Sequence, residues 1–285
     1  MATTTATTLA PPRRLRSLGA LLTLHRAITK RDLQMALGLL WLLDGVLQAQ
    51  PFMFTSSFAT QVIAPVGQGQ PGFVSDPVHW VSTLIAAHPV AWNVPFAGIQ
   101  LLLGVGLLVR RTARVTLAAS IVWALGVWYL GEGLSGLASG QASFITGAPG
   151  SALIYAILAA AAWPRRDASR ETPARWLPLA WAVLWLVAAV YQAMPGQAPH
   201  LAPGVVVPLL VIAEYLIGVG ALWRRTAAAA VSLGLVLALV FWVFGQHFGQ
   251  LFSGQATDPN SGPALALMAI ALLAGGGALR MRSSG

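Results

Sequence analysis

Two carboxyl groups stand inside long apolar stretches of this chain. Asp44 lies about two helical turns before Pro51, and Glu214 lies near the middle of an apolar run over 204–223, and neither stretch contains Lys or Arg. An acid at the centre of a membrane helix costs about 2.5–3.5 kcal/mol and marks a functional group such as a proton acceptor. We therefore predict Glu214 and Asp44 as catalytic residues, each protonated or facing a polar cavity. A carboxyl that only hydrogen-bonds a neighbouring helix is the alternative, and we favour it for Asp44.

A second polar group follows the apolar stretches that end near 131 and 245. Its members are Glu132, Gln141, Gln246, His247 and Gln255. With Asp258 they form a polar mouth suited to a cation, a quinone headgroup or a partner protein, and we predict them as cofactor-binding residues. Helix caps and turns are the alternative, because Ser-Gly and Asp-Pro-Asn are typical turn sequences.

The composition excludes several kinds of redox and metal site. The chain has no cysteine, which excludes disulfides, thiolate nucleophiles and iron–sulfur clusters. His79 and His88 are nine residues apart, about 900° of helix, and so point to opposite faces. We predict no metal site, and redox chemistry would require a bound cofactor or a redox partner protein.

The chain as a whole is typical of an integral membrane protein. Hydrophobic residues make up 56%, charged residues 9%, and the mean hydropathy is +0.71, whereas about a quarter of residues are charged in soluble domains. The net charge of +9 bears on orientation in the lipid bilayer, and no nucleic-acid partner is needed to explain it. Eight stretches are long enough for membrane helices: 34–50, 94–109, 115–131, 149–164, 176–194, 204–223, 227–245 and 263–279.

The basic residues predict the orientation. All 17 lie in alternate segments, namely 1–33, 110–114, 165–175, 224–225 and 280–285. The other connections, 51–93, 132–148, 195–203 and 246–262, contain none. Because Lys and Arg stay on the cytoplasmic side, both termini are predicted to be cytoplasmic. A single lysine and abundant alanine and glycine are typical of a GC-rich bacterial genome, which predicts a bacterial plasma membrane.

The N-terminal segment 1–33 is predicted to be cytoplasmic. Its first twelve residues, MATTTATTLAPP, are of low complexity and predict disorder. Basic and apolar residues then alternate over 13–30, which favours an interfacial helix on anionic lipid over a cleaved signal peptide.

The sequence contains a tandem repeat. The segment GVGLLVRRTA over 104–113 recurs as GVGALWRRTA over 218–227, with eight of ten positions identical at an offset of 114. The same offset, without a gap, aligns further pairs: Trp128 with Trp242, Gly131 with Gly245, SGQA at 139–142 with SGQA at 253–256, and Pro149 with Pro263.

The first stretch of each half aligns at an offset of 144, where WLLDGVLQAQP over 41–51 matches WLVAAVYQAMP over 185–195. The repeats are therefore 34–164, with an external insertion at 52–93, and 176–279. Four spans in each half make the repeats parallel, about an axis along the membrane normal. The predicted fold is all-α, with eight transmembrane helices as two parallel four-helix repeats. In the insertion, Asp76-Pro77 is a typical helix start, which predicts a short helix over 78–87 as a lid.

One segment carries a family resemblance. EYLIGVGALWRRTA over 214–227 places an acid in mid-span, then a Gly-x-Gly step and two arginines. This resembles the second span of the DoxX-like (DoxD-like) family of four-span membrane bundles. The first half has Gln100 at the position of the acid. The resemblance implies a membrane redox setting, often linked to quinone and to small sulfur compounds.

Three functions follow as hypotheses. The first is a DoxX-like subunit of membrane redox metabolism in which Glu214 accepts protons. The second is a small-solute transporter or channel that uses the cavity between the repeats. The third is a non-catalytic membrane scaffold for a partner protein.

Overall fold

The computed structural model describes residues 28–164, 173–194 and 205–281, with side chains up to residue 275. Most of the predicted N-terminal segment, residues 1–27, therefore lies outside the described residues. The described part of the chain is all-helical. Its longer helices are α1 (Lys30–Gln48), α2 (Gly72–Ala87), α3 (Pro89–Leu108), α4 (Ala113–Leu130), α5 (Ser151–Ala161), α6 (Leu177–Gln192), α7 (Val206–Gly220), α8 (Ala227–Val240) and α9 (Ser261–Met281).

Every one of the eight predicted stretches contains a helix, and α2 is additional. Three helices are long and apolar enough to cross a membrane: Pro89–Leu108, Ala113–Leu130, and α8 continued by a π-helical turn to Gly245. Helix α5 has 11 residues and rises about 16 Å, short of the ~30 Å hydrocarbon core. The all-helical architecture and the apolar helices are established, and the count of eight spans stays a prediction.

The chain reaches α5 through a buried, irregular segment. Residues 132–148 were predicted as an external loop, but Ala142, Ile145 and Ala148 are buried. Backbone without regular structure is tolerated at membrane depth only where protein surrounds it. The protein around these buried residues therefore shields the irregular backbone that leads into α5.

Close helix contacts in the two halves involve equivalent glycines. An added Cβ at Gly104 would lie 2.5 Å from Leu42 Cγ and 2.9 Å from the carbonyl oxygen of Gly38. At Gly218 the equivalent contacts are 2.8 Å to Leu186 and 3.0 Å to the carbonyl oxygen of Ala182. Only glycine permits this approach, so α1 packs on α3 as α6 packs on α7.

Basic side chains gather at one end of the bundle. Lys30 Nζ donates to the carbonyl oxygen of Trp163 at 2.6 Å, and Arg31 Nη1 donates to that of Leu107 at 2.8 Å. The Arg114 guanidinium lies 5.9 Å from the Trp163 ring centroid. The start of α1 and the ends of α3 and α5 therefore share this end, which we call the basic end.

The second half has its basic residues at the same end. The backbone N–H of Ala174 donates to the carbonyl oxygen of Ala161 at 3.2 Å, so α6 begins where α5 ends. Since α6 and α7 are antiparallel, α7 finishes beside the start of α6. Arg175 and the pair Arg224-Arg225 therefore lie at the basic end.

The insertion folds against the opposite end of the first half. Residues 51–67 form short helical turns, and α2 packs on α3, α4 and the turn after α4. Their shared apolar core includes Met53, Phe58, Val74 and Val78. The helix predicted in the insertion therefore exists and packs against the first half, and its role as a lid stays a prediction.

The predicted start of this helix was wrong. Helix α2 begins at Gly72, and Pro77 lies inside it. Pro77 has no N–H for the carbonyl oxygen of Phe73, four residues earlier. The hydroxyl of Tyr129 donates to that oxygen instead, which explains why the helix continues through the proline.

Candidate functional site

Asp44 lies in a buried polar group within the first half. Its side chain is 3% exposed, and the Tyr155 hydroxyl donates to Oδ1 at 3.3 Å. The Tyr155 ring packs edge-on against Trp41, with centroids 5.0 Å apart. The Trp41 indole N–H donates to Ser120 Oγ at 2.8 Å. Tyr155, the only tyrosine in the stretch 149–164, was not predicted as a partner, although its hydroxyl in an apolar run was the available signal.

Glu132 binds the first turn of α5. Its Oε1 accepts from the Ser151 hydroxyl at 2.9 Å and from the backbone N–H of Ala152 at 3.1 Å. Its Oε2 lies so close to Gly150 that an added Cβ there would be 1.9 Å away. The carboxyl therefore caps a helix N-terminus, where a negative charge is favoured.

The carboxyl group of Glu132 interacts electrostatically with acidic residues of both halves. Burial, and then the carboxylate of Asp258, raise the pKa of Glu132 to about 7. Asp44 is also close enough to Asp258 and Glu132 to interact electrostatically with them. We call these three acids and Tyr155 the junction cluster. Asp258 is its member from the second half, and the other three residues belong to the first half.

Gln246 repeats the role of Glu132 in the second half. Its Nε2 donates to Ser261 Oγ at 3.0 Å, and its Oε1 accepts from the backbone N–H of Gly262 at 3.2 Å. Glu132 and Gln246 each cap the helix that follows, as the helix-cap alternative expects, and their role in cofactor binding stays a prediction.

These contacts correct the gapless alignment of the two halves. The Trp128 indole donates to the carbonyl oxygen of Pro149 at 2.7 Å, and the Trp242 indole donates to that of Pro259 at 2.8 Å. The structural equivalent of Pro149 is thus Pro259, and the alignment with Pro263 was wrong. The second half is four residues shorter between SGQA and the helix.

A left-handed turn follows each capping residue. The φ angles are 54°, 53°, 51° and 78° over 133–136, and 49°, 57°, 65° and 53° over 247–250. Non-glycine residues pay about 1–2 kcal/mol each for this conformation. Its occurrence at the same place in both halves indicates a constrained site, and it directs the chain back toward the helix that Glu132 or Gln246 caps.

The other predicted members of the polar mouth do not join the cluster. Gln141, His247 and Gln255 are exposed. Gln255 donates its backbone N–H to Ser253 Oγ at 3.0 Å, as in a turn. Within the described residues, no three His, Asp or Glu side chains are placed to hold a metal ion.

Glu214 lies apart from the junction cluster, on α7 in the interior of the second half. Its side chain is 0% exposed, and both carboxyl oxygens lack a hydrogen-bond partner. The indole N–H groups of Trp181 and Trp185 on α6 are also buried without partners. At the equivalent position in the first half, Gln100 Oε1 has no partner either. Buried polar groups of native proteins are nearly always paired, so these atoms are candidates to bind a ligand or water.

Comparisons with known proteins return nothing for this chain: no family model, curated protein or solved structure matches it.

Proposed function

We propose that the chain is a DoxX-like integral membrane protein of redox metabolism, in which Glu214 accepts a proton from a membrane quinol. The observation that carries the proposal is the fully buried carboxyl of Glu214, whose two oxygens have no partner. Leaving a carboxyl unpaired in an apolar interior is costly. Such a group is retained where a ligand completes its hydrogen bonds.

The helix packing supports a shared site for Glu214 and Trp185. Trp181 of α6 and Ile217 of α7 meet at Gly234, where an added Cβ would lie 2.5 Å and 2.8 Å from their side chains. Trp185 is one turn beyond Trp181 and Glu214 one turn before Ile217. Because α6 and α7 are antiparallel, Glu214 and Trp185 lie at the same level.

The chemistry of these groups fits a quinol. Indole N–H groups donate to the carbonyl oxygens of the oxidised ring, and a carboxylate accepts a hydroxyl proton from the reduced ring. Aromatic walls suit a flat ring, and Trp185 lies 5.6 Å from Trp181 and 6.5 Å from Phe241 between centroids. Oxidation of a quinol to a quinone releases two protons and two electrons: Glu214 accepts one proton, the other passes to water, and the electrons pass to a redox partner protein. The chain itself has no cysteine for a thiol or iron–sulfur acceptor.

The test combines quinone binding with substitution of Glu214. The chain is purified in mild detergent, its quinone content is measured by mass spectrometry, and quinol titrations follow quenching of tryptophan fluorescence. We expect Glu214→Gln to fold, because Gln100 occupies the equivalent position. The variant should lose the dependence of quinol affinity on pH, and Asp44→Asn should keep it. Absence of quinone and of quenching in the unmodified protein would refute the proposal.

A transporter is the second candidate, and the junction cluster favours it. The carboxylate of Asp258 in the second half interacts electrostatically with that of Glu132 in the first half, so polar groups of both halves lie near the boundary that a solute would cross. Substrate-dependent flux in proteoliposomes, without bound quinone, would support this function. Co-purification of a partner protein in fixed stoichiometry, with neither a bound ligand nor solute flux, would support the hypothesis of a non-catalytic membrane scaffold.

A further inference from the structure

We propose that two arginine turns at the basic end each bind the phosphate of an anionic lipid headgroup. The first-half turn comprises residues 109–112 together with Arg31, and the second-half turn comprises residues 223–226. This inference is independent of the quinol proposal.

The two turns are built in the same way. Thr112 Oγ1 donates to the carbonyl oxygen of Gly106 at 2.7 Å, and Thr226 Oγ1 donates to that of Gly220 at 2.7 Å. In both turns the threonine is preceded by two exposed arginines. A side-chain hydrogen bond of this kind fixes the turn, so the arginine pair projects from a defined backbone.

Like charges are held together in the first-half turn. Arg31 is fixed by hydrogen bonds from its guanidinium to the carbonyl oxygens of Leu107 and Leu108. The guanidinium of Arg110 is close enough to act on it electrostatically. Arg31, whose terminal nitrogens already donate to these carbonyl oxygens, adds positive charge beside the turn. The exposed Arg110 and Arg111 offer a phosphate the pairs of parallel N–H donors that guanidinium groups use.

The apolar residues beside the arginines favour a lipid over free phosphate. Val109 is 45% exposed, Leu222 51% and Trp223 63%. Tryptophan concentrates where acyl chains meet headgroups, and basic residues beside a membrane helix attract anionic lipid. An arginine pair next to such side chains lies at the depth of a lipid phosphate.

The experiment counts lipids bound to the full chain. The protein is purified in mild detergent, incubated with phosphatidylglycerol or phosphatidylcholine, and measured by native mass spectrometry. We expect two phosphatidylglycerol molecules to remain bound and phosphatidylcholine to be lost. Arg110→Gln with Arg111→Gln should remove one lipid, Arg224→Gln with Arg225→Gln should remove the other, and all four changes should remove both.

Two control variants test whether lipid binding depends on the arginine pairs themselves. Arg114→Gln removes a basic residue of the same end that lies over Trp163, and it should keep both lipids. Arg110→Lys with Arg111→Lys keeps the charge without the paired donors, and it should weaken retention by less than glutamine does. Equal retention of phosphatidylcholine, or full retention by the fourfold variant, would overturn the proposal. Displacement of the lipid by inorganic phosphate alone would overturn the assignment to lipid.

Discussion

Glu132 and Gln246 bind the first turn of the helix that follows each of them through the same atom. Oε1 of Glu132 accepts from the backbone N–H of Ala152 at 3.1 Å, and Oε1 of Gln246 accepts from that of Gly262 at 3.2 Å. One half thus uses a carboxyl where the other uses an amide. The cap needs only an acceptor oxygen, so we expect the fold to form with Gln in place of Glu132.

Replacement of Glu132 by Gln should remove a pH dependence of stability. The pKa of Glu132 is raised from 4.5 to about 7, so the folded protein binds this proton more tightly than the unfolded chain does. The contribution of Glu132 to the free energy of unfolding is therefore largest below about pH 4.5. It decreases between pH 4.5 and about pH 7, by up to about 1.4 kcal/mol per pH unit, and then levels off. Thermal melting in mild detergent between these values should show the fall in the unmodified protein and a flatter profile in Glu132→Gln. Identical profiles would contradict the assignment.

The close packing of α1 on α3 predicts a cost for Gly104→Ala. Its Cβ would lie 2.5 Å from Leu42 Cγ and 2.9 Å from a backbone oxygen, and overpacking of this kind costs about 1–3 kcal/mol. Gly98 of the same helix has no atom within 4 Å of an added Cβ, so Gly98→Ala is the matched control. There the higher helix propensity of alanine should leave stability unchanged or increase it. A Gly104→Ala variant that melts no earlier than Gly98→Ala would contradict the packing.

The sequence was most informative where spacing alone determines contact. The offset of 144 places Leu42 over Leu186 and the offset of 114 places Gly104 over Gly218, and both pairs make the same contact. Long apolar stretches of the sequence likewise located the helices, because an apolar stretch long enough to cross a membrane pairs its backbone groups by forming a helix.

The sequence was least informative where a contact joins residues that are distant in the chain. A shared proline favoured aligning Pro149 with Pro263, whereas the indole contacts pair Pro149 with Pro259. The start of α2 was misplaced because Asp76-Pro77 is a typical helix start. The compensating donor, the hydroxyl of Tyr129, is distant in sequence. Partners of that kind cannot be read from local pattern.

The contact between Tyr129 and Phe73 predicts a specific coupling. Tyr129→Phe removes the donor to the exposed Phe73 carbonyl oxygen, which should destabilise the protein by about 0.5–1.5 kcal/mol, the net contribution of one hydrogen bond. Pro77→Ala supplies a backbone N–H to the same oxygen, so the loss caused by Tyr129→Phe should be smaller in the Pro77→Ala background. A double-mutant cycle of melting temperatures measures this coupling. Additive effects would show that the two donors do not compete for this oxygen.

The shared basic end predicts which connections are cytoplasmic. Arg31, Arg114 and Arg175 contact or adjoin the same helix ends, and basic residues beside membrane helices stay on the cytoplasmic side. Reporter fusions after Arg111 and Arg225, and after residues 166 and 285, should therefore report cytoplasm.

Fusions within 51–93 and 132–148 should report the outside, because these connections lie at the opposite end and contain no Lys or Arg. Glycosylation or labelling of single introduced cysteines gives an independent readout, since the chain has no cysteine of its own. The segment 132–148 is the decisive one, because its middle is buried and only its exposed residues, such as Gln141, can be labelled. If a probe at Gln141 reacted from the cytoplasmic side, the eight-span topology would be wrong, since that topology places three crossings, an odd number, between the N-terminal side of 34–50 and Gln141.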